Sequence, residues 1–317
     1  MERWRVRKPT QAAEGGPFRY ARRKISPTVV VIGLCIVLLL SSVAFGYHMT
    51  NTATNPTIVV AKTPAQPVAQ PQKPVLAPEP PDPLASLPTD LNAVISAQTA
   101  VSASVTVINL DTNKEYDAGK YTQTYEAAST SKLVAVFDYI HQVELGKATL
   151  TQSIQGQQAQ DIIMRMIVNS DNNAWDKLNG YLRFTGEQKY LNSIGVAGHM
   201  TPENIQFSTP AMAKMLQLLY QGKLMNADHQ ALIYGYMAHT TMNKLIPAAL
   251  PVDVTVYHKY GEIDGVLHDV AIIKYQGHSF VLVIYTNNPA NNMGLYSSQV
   301  QLIRALTSAA LTDVLKS

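Results

Sequence analysis

The chain has 317 residues, 46% hydrophobic and 15% charged, with a formal net charge of +3. This composition fits a folded chain with an apolar segment and excludes a disordered one. The charge is unevenly spread: residues 1–85 carry +6 and residues 86–317 carry −3, so the globular part is mildly acidic and lacks the basic surface that nucleic-acid binding demands.

Residues 1–27 form a basic tail that includes Arg3, Arg5, Arg7, Lys8, Arg19, Arg22, Arg23 and Lys24. Residues 28–47 are uncharged and mostly apolar, and a run of ~20 such residues matches the hydrocarbon thickness of a bilayer. A cleaved signal peptide needs a shorter apolar core and a small-x-small site, for which Val43-Ala-Phe-Gly46 is a poor match. An uncleaved anchor is therefore favoured. Positive charge before it places the N-terminus in the cytoplasm and the remainder on the other side of the cell membrane. Cys35, the single cysteine, lies inside this run. No intrachain disulfide, cysteine nucleophile or Cys-based zinc site is expected.

Residues 48–88 are rich in Pro, Ala, Gln and Thr, a composition that prefers extended polyproline II and reads as a semi-rigid stalk. Residues 89–317 have globular texture. Val101–Leu110 alternates as a strand, Asp111–Lys114 is a turn, and Glu115–Ala118 returns. Helices are expected from Ser129 to about Gly146, over Ala159–Val168, Asn173–Leu182, Gln188–Ser193, Thr209–Tyr220 and Asp228–Met237. Strands at Val254–Lys259, Val266–Tyr275 and Ser279–Tyr285 precede a last helix over about 294–315. Two strands, a helical block, three strands and a terminal helix describe an α+β domain, with an antiparallel sheet flanked by helices and an all-helical subdomain.

Three short strings carry chemistry. In Ser129-Thr-Ser-Lys132 the hydroxyl and the amine share one helix face, so the amine reaches the hydroxyl and can take its proton. Ser129 also suits an ordinary N-cap. Ser170-Asp171-Asn172 lies in a loop between two helices, where a second hydroxyl can pass a proton and an Asn amide can hold a substrate amide; it too has an N-cap reading. Lys259-Tyr260-Gly261 ends a strand. A cation there lowers the pKa of a nearby Lys, and a Gly lets a substrate backbone approach the strand edge.

In this order the strings resemble the S-x-x-K, S-D-N and K-T-G set of the penicillin-recognising serine hydrolases, in particular the class A β-lactamase-like family. The resemblance spans about residues 90–315 and extends through Gly261–Ile273. It implies a β-lactamase/transpeptidase-like fold. It makes Ser129 the acyl-accepting nucleophile, Lys132 its general base, Ser170 the proton shuttle and Lys259 an electrostatic support. Asn172 would orient the acyl side chain, Tyr260 and Gly261 would contact substrate, and the backbone N–H groups of Ser129 and Glu262 would form an oxyanion hole.

Two departures stand out. Tyr260 replaces the family's Thr or Ser, whose hydroxyl binds the substrate carboxylate, and the nearby strand has no Arg, leaving His268 and Lys274 as the other basic side chains. The E-x-x-L-N string that activates the deacylating water is also missing. Val196–Phe207 reads as a short loop whose Glu203 is either a deacylation base or a solvated carboxylate, and Glu187 before Leu191-Asn192 is off register by one. The eight His show no metal-ligand spacing, so neither a metal nor a cofactor is expected. Trp175 and Met212–Met215 are expected in the core, and Asp264 and Asp269 to brace the strand turn.

These readings imply a membrane-anchored, extracytoplasmic serine hydrolase acting through an acyl-enzyme on a small-molecule β-lactam or a D-alanyl peptidoglycan peptide. The rivals are a penicillin-binding-protein-like D,D-peptidase or esterase and a non-catalytic wall-binding domain that keeps the fold.

Overall fold

A computed structural model describes residues 81–288 and 295–316. The basic tail, the apolar segment at 28–47 and most of the Pro-rich stretch lie outside the described residues. Among the described residues no helix is long and apolar enough to cross a membrane.

The described chain opens with α1 (Leu87–Ser96), then β1 (Ser102–Asn109) and β2 (Glu115–Gly119), which pair antiparallel with Val105 opposite Ala118. β3 (Tyr125–Glu126) leads into a 3-10 turn, Ala128–Ser131, and α2 (Lys132–Glu144). A small hairpin, β4 (Ser153–Ile154) and β5 (Gln157–Gln158), precedes α3 (Ala159–Val168), α4 (Asn172–Leu182) and α5 (Phe184–Ser193). Then come β6 (His199–Thr201), β7 (Asn204–Phe207), α6 (Thr209–Tyr220) and α7 (Ala227–Ala238). The chain closes with β8 (Thr255–Ile263), β9 (Val266–Tyr275), β10 (His278–Asn287) and α8 (Tyr296–Val314).

Among the described residues, five strands form an antiparallel sheet in the order β2-β1-β10-β9-β8. Its middle strands are buried almost throughout because helices cover both faces, and alternate side chains enter two different cores. Val270, Ile272, Val281, Val283 and Tyr285 join the core of α2, α3 and α6. Ala271, Ile273, Phe280, Leu282 and Ile284 join the core of α1 and α8.

Helix α2 is the central rod: Lys132 through Ile140 are all buried, and apart from Lys132 and Asp138 this run is apolar because neighbours surround it. Gly146, at φ 67°, supplies the left-handed turn that ends this segment. Ser129 does not cap α2. It sits in the tighter 3-10 turn before it, and no side chain caps that turn. The cap of α4 is Asp171, whose carboxylate accepts from Ala174 N at 3.1 Å, so Ser170 stays outside the helix.

Several expectations change. Helix α1 occupies a stretch where no helix is expected, and Leu84 and Leu87, assigned to the stalk by composition, are buried beside Leu91. Helix α5 begins at Phe184, four residues before the expected Gln188. Val196–Phe207 is not a loop: it holds β6 and β7, and β7 pairs with β3 through Tyr125 opposite Phe207. Met212 and Met215 are buried as expected.

Phe137, in the middle of α2, is fully buried. Phe137→Ala should lower unfolding free energy by about 3–5 kcal/mol, the loss typical of a large core truncation. Urea unfolding followed by circular dichroism checks this, and a loss below about 1 kcal/mol would contradict the central role given to α2.

Candidate active site

The three strings converge. The 3-10 turn sets the Ser129 backbone against Gly261 of β8, and the α3–α4 junction brings Ser170 and Asn172 to the same point. Lys132 Nζ donates to Ser129 Oγ at 2.7 Å, to Asn172 Oδ1 at 2.6 Å and to the Ser170 carbonyl at 2.9 Å. Lys259 Nζ donates to Ser170 Oγ at 2.9 Å and to the Tyr260 carbonyl at 2.9 Å. The two hydroxyls therefore each have an amine, and Lys132 links the two groups.

Both amines are almost fully buried. Burial brings the Lys132 pKa down to about 8, against the pull of Asp171 and Asp176. It brings the Lys259 pKa down to about 7, helped by the charge of Lys132. An amine so shifted holds a substantial unprotonated fraction near neutrality, which a general base requires.

Close backbone approach completes the arrangement. A Cβ on Gly261 would lie 3.0 Å from Ala127 O, Ser129 N and Thr130 N, so only a glycine lets β8 pack against the Ser129 backbone. Ala128 and Ser170, neither of them glycine, take left-handed φ values of 47° and 57°. Such strain, about 1–3 kcal/mol each, tends to be held at functional sites. Arg165 and Asp171 hold the Ser170 loop through an ion pair, with Nε 2.9 Å from Oδ2. Behind β8, Asp269 accepts from Ile246 N at 3.0 Å and pairs with His258 Nδ1 at 3.0 Å. Asp269 thus braces the strand as expected.

Two cavities meet at Ser129. One, ≈ 530 Å³, is lined by Ser129, Ser170, Asn172, Tyr260, Glu262 and the β8–β9 turn, together with Asn288, Tyr296 and Gln299. The other, ≈ 390 Å³, is lined by Ser129, Lys132, Asn172, Glu126, Trp175, Asp176 and Glu262. All the motif residues named from sequence are thus at or beside one cleft.

Glu203 is not. It is exposed in the two-residue turn left between Thr201 and Asn204, whose pairing closes the β6–β7 hairpin, and it lines neither cavity. Glu187 is fully buried on α5, where desolvation and then Asp138 push its pKa up to about 8, and it too lines neither cavity.

The basic side chains considered for a substrate carboxylate are also displaced. His268 is buried and stacked on Tyr285 with centroids 4.0 Å apart. Its Nε2 donates to Glu126 O while its Nδ1 accepts from Thr286 N, and burial lowers its pKa to about 4, so it is neutral. Lys274 lies among the rings of Tyr220, Tyr234 and Tyr257.

Sequence reasoning missed several lining residues. Asp176 follows Asn172 by one helical turn, so periodicity along α4 could have found it. Trp175, expected in the core, is only half-buried, and its ring lies 5.9 Å from Lys132 Nζ. Tyr296 arrives from α8 and Glu126 from β3, with no local signal for either. Among the described residues no group of three or more His, Cys, Asp or Glu is placed to hold a metal ion.

Gly261→Ala should push β8 away from the Ser129 backbone. The expected result, on the acyl-enzyme reading proposed below, is at least a tenfold loss of acylation rate with a melting temperature lowered by only a few degrees, read by intact mass and thermal unfolding. Unchanged acylation would contradict the close packing described.

The model of the Beta-lactamase enzyme family matches residues 86–314. No curated protein matches the chain. Among solved structures, PBP-A is similar with a TM-score of 0.68 at 21% identity, covering 75% of this chain and 99% of PBP-A. A PBP-A mutant captured as an acyl-enzyme complex with penicillin G has a TM-score of 0.67 at 22% identity, over 76% and 100% of the two chains. A β-lactamase from Xanthomonas campestris pv. campestris has a TM-score of 0.66 at 17% identity, over 72% and 97%. The structural likenesses are in fold; the family match, spanning more than two thirds of the sequence, settles kinship, and the chain belongs to the beta-lactamase enzyme family.

Proposed function

We propose that the domain is a serine hydrolase that forms an acyl-enzyme on Ser129 with a β-lactam or a D-alanyl amide. The observation that carries this reading is the Lys132 amine, 2.7 Å from Ser129 Oγ and held by two further acceptors. Unprotonated Lys132 takes the Ser129 proton as Oγ adds to the substrate carbonyl. The oxyanion that forms is met by the backbone N–H groups of Ser129 and Glu262, a donor type worth about 2.7–4 kcal/mol in acyl-transfer sites. Ser170 Oγ, held by Lys259, passes a proton to the leaving nitrogen as the carbon–nitrogen bond breaks, and water then releases the acyl group.

A second reading, a D,D-peptidase or esterase with a long-lived adduct, is favoured by the positions of Glu203 and Glu187, neither of which reaches the cleft. The apolar run 28–47 and the basic residues before it support a membrane anchor with the catalytic domain outside the cytoplasm.

Incubation with benzylpenicillin should give a covalent adduct by intact mass, absent in Ser129→Ala. An adduct that decays within seconds identifies a β-lactamase, and one that persists for many minutes identifies the peptidase reading. Folded wild-type protein that never gains mass with penicillins or D-alanyl esters would leave a non-catalytic domain. The acylation rate should climb as pH rises through about 8, because the free amine of Lys132 is the reactive form, and level off above it. Lys132→Ala should lose ~10²–10⁴-fold in acylation rate, the usual worth of a positioned base.

A further inference from the structure

The walls around Ser129 are acidic. Glu262 and Asp264 line the larger cavity on the side where Ser170 would protonate a leaving group, and Glu126 and Asp176 line the smaller one. Glu262, Asp264 and Asp176 are exposed. Tyr296 Oη donates to Glu262 Oε2 at 3.2 Å, which keeps that carboxylate at the cleft.

Asp176 acts on the Lys132 ammonium and shares a neighbouring cavity with Arg183, but among the described residues Glu262 and Asp264 have no ion-pair partner. No Arg lines either cavity, and the one Lys that does, Lys132, is bound to Ser129 and Asn172. Lys259 is fully buried beneath Tyr260, against Ser170 Oγ and the Tyr260 carbonyl. Lys244 sits 4.5 Å from the centre of the Tyr296 ring and lines neither cavity. Between Asn288 and Tyr296 the sequence carries no charged residue.

A carboxylate entering beside Glu262 and Asp264 would meet like charge without a partner, whereas an ammonium would be attracted from a distance. We infer that the cleft selects acyl donors whose leaving group is cationic or uncharged and disfavours those whose leaving group ends in a carboxylate. This rests on the proposed acyl-enzyme reading and narrows it: a penicillin or a D-alanyl-D-alanine peptide, whose leaving side carries a carboxylate, acylates Ser129 more slowly than an amide or ester with a cationic or uncharged leaving group. The natural substrate class is then an amide or ester whose leaving part bears an amine, such as an internal peptide bond with a neighbouring ammonium, and not a free C-terminal carboxylate.

Three thioesters of one N-acyl-D-alanyl group separate these cases, with thiocholine, butanethiol and mercaptopropionate as cationic, neutral and anionic leaving groups. In each, Ser129 Oγ bonds to the carbonyl carbon, the carbon–sulfur bond breaks, and the Ser129 proton leaves with the thiol. Acylation of the wild-type protein is followed by thiol release and intact mass, with Ser129→Ala as the blank. At low salt the cationic donor should acylate at least tenfold faster than the anionic one. The ratio should fall towards unity in 1 M NaCl, where exposed charges ~3 Å or more apart are screened. In the Glu262→Gln/Asp264→Asn double variant the ratio, with each rate taken relative to the neutral donor, should fall at least threefold.

An anionic donor as fast as the cationic one would overturn the inference while leaving the acyl-enzyme intact. Preference for the anionic donor, lost in Lys244→Ala, would overturn it and assign carboxylate binding to Lys244. Acylation by none of the three, in protein shown to be folded, would remove the acyl-enzyme reading and this inference with it.

Discussion

The structure depends on one buried amine. Lys132 has lost most of its hydration, and three oxygens, from Ser129, Asn172 and the Ser170 backbone, replace that water. Desolvation penalises the ammonium more than the neutral amine, which moves the proton affinity towards the range a base needs. Helix α2 makes the burial possible: its first nine residues are packed in the core, so Lys132 is fixed in place by the eight that follow.

The three acceptors come from segments far apart in the chain. The 3-10 turn contributes Ser129, and the α3–α4 junction contributes both Ser170 and Asn172. Each segment is held in a conformation it would not choose alone. Ala128 and Ser170 are in left-handed backbone conformations, and Ser170 is kept there by the cap of Asp171 on α4 and the pairing of Asp171 with Arg165. β8 approaches from the other side because Gly261 has no side chain to collide with Ser129. The register that sets Tyr260 opposite Asp269 and Gly261 opposite His268 brings Lys259 under Ser170. Sheet pairing thereby sets the position of the second amine.

Kinship to the beta-lactamase enzyme family accounts for this scaffold but does not transfer a substrate with it. The cleft differs from a carboxylate-reading one in chemistry as well as in sequence. A phenol stands where a small hydroxyl is usual, and the two basic residues available by sequence are withdrawn, one neutral in the core and one among three tyrosines. The remaining charge at the walls is negative. These exposed carboxylates act through solvent and are screened by salt, whereas the Lys132 and Lys259 amines are buried beneath them.

The sequence by itself determined the elements with strong periodicity and the pairing of one hydroxyl with one amine. Ala159–Val168 and Thr209–Tyr220 form helices where their spacing requires them, and the Ser129–Lys132 separation alone puts a hydroxyl within reach of an amine. Those are local properties, set by three to four residues of separation on a helical path. Only the tertiary structure decided the rest. Helix α1 and the β6–β7 hairpin form because distant partners bury them: Leu84, Leu87 and Leu91 pack beneath α8, and β7 pairs with β3. The fate of each carboxylate was also undecided, since Glu187 and Glu203 look equally available in a string of letters. One is sealed in the core and the other lies at a hairpin tip, while Glu126 and Tyr296, with no local signal, reach the cleft. Burial and proximity arise from contacts between remote segments, and a pattern along one segment cannot encode them.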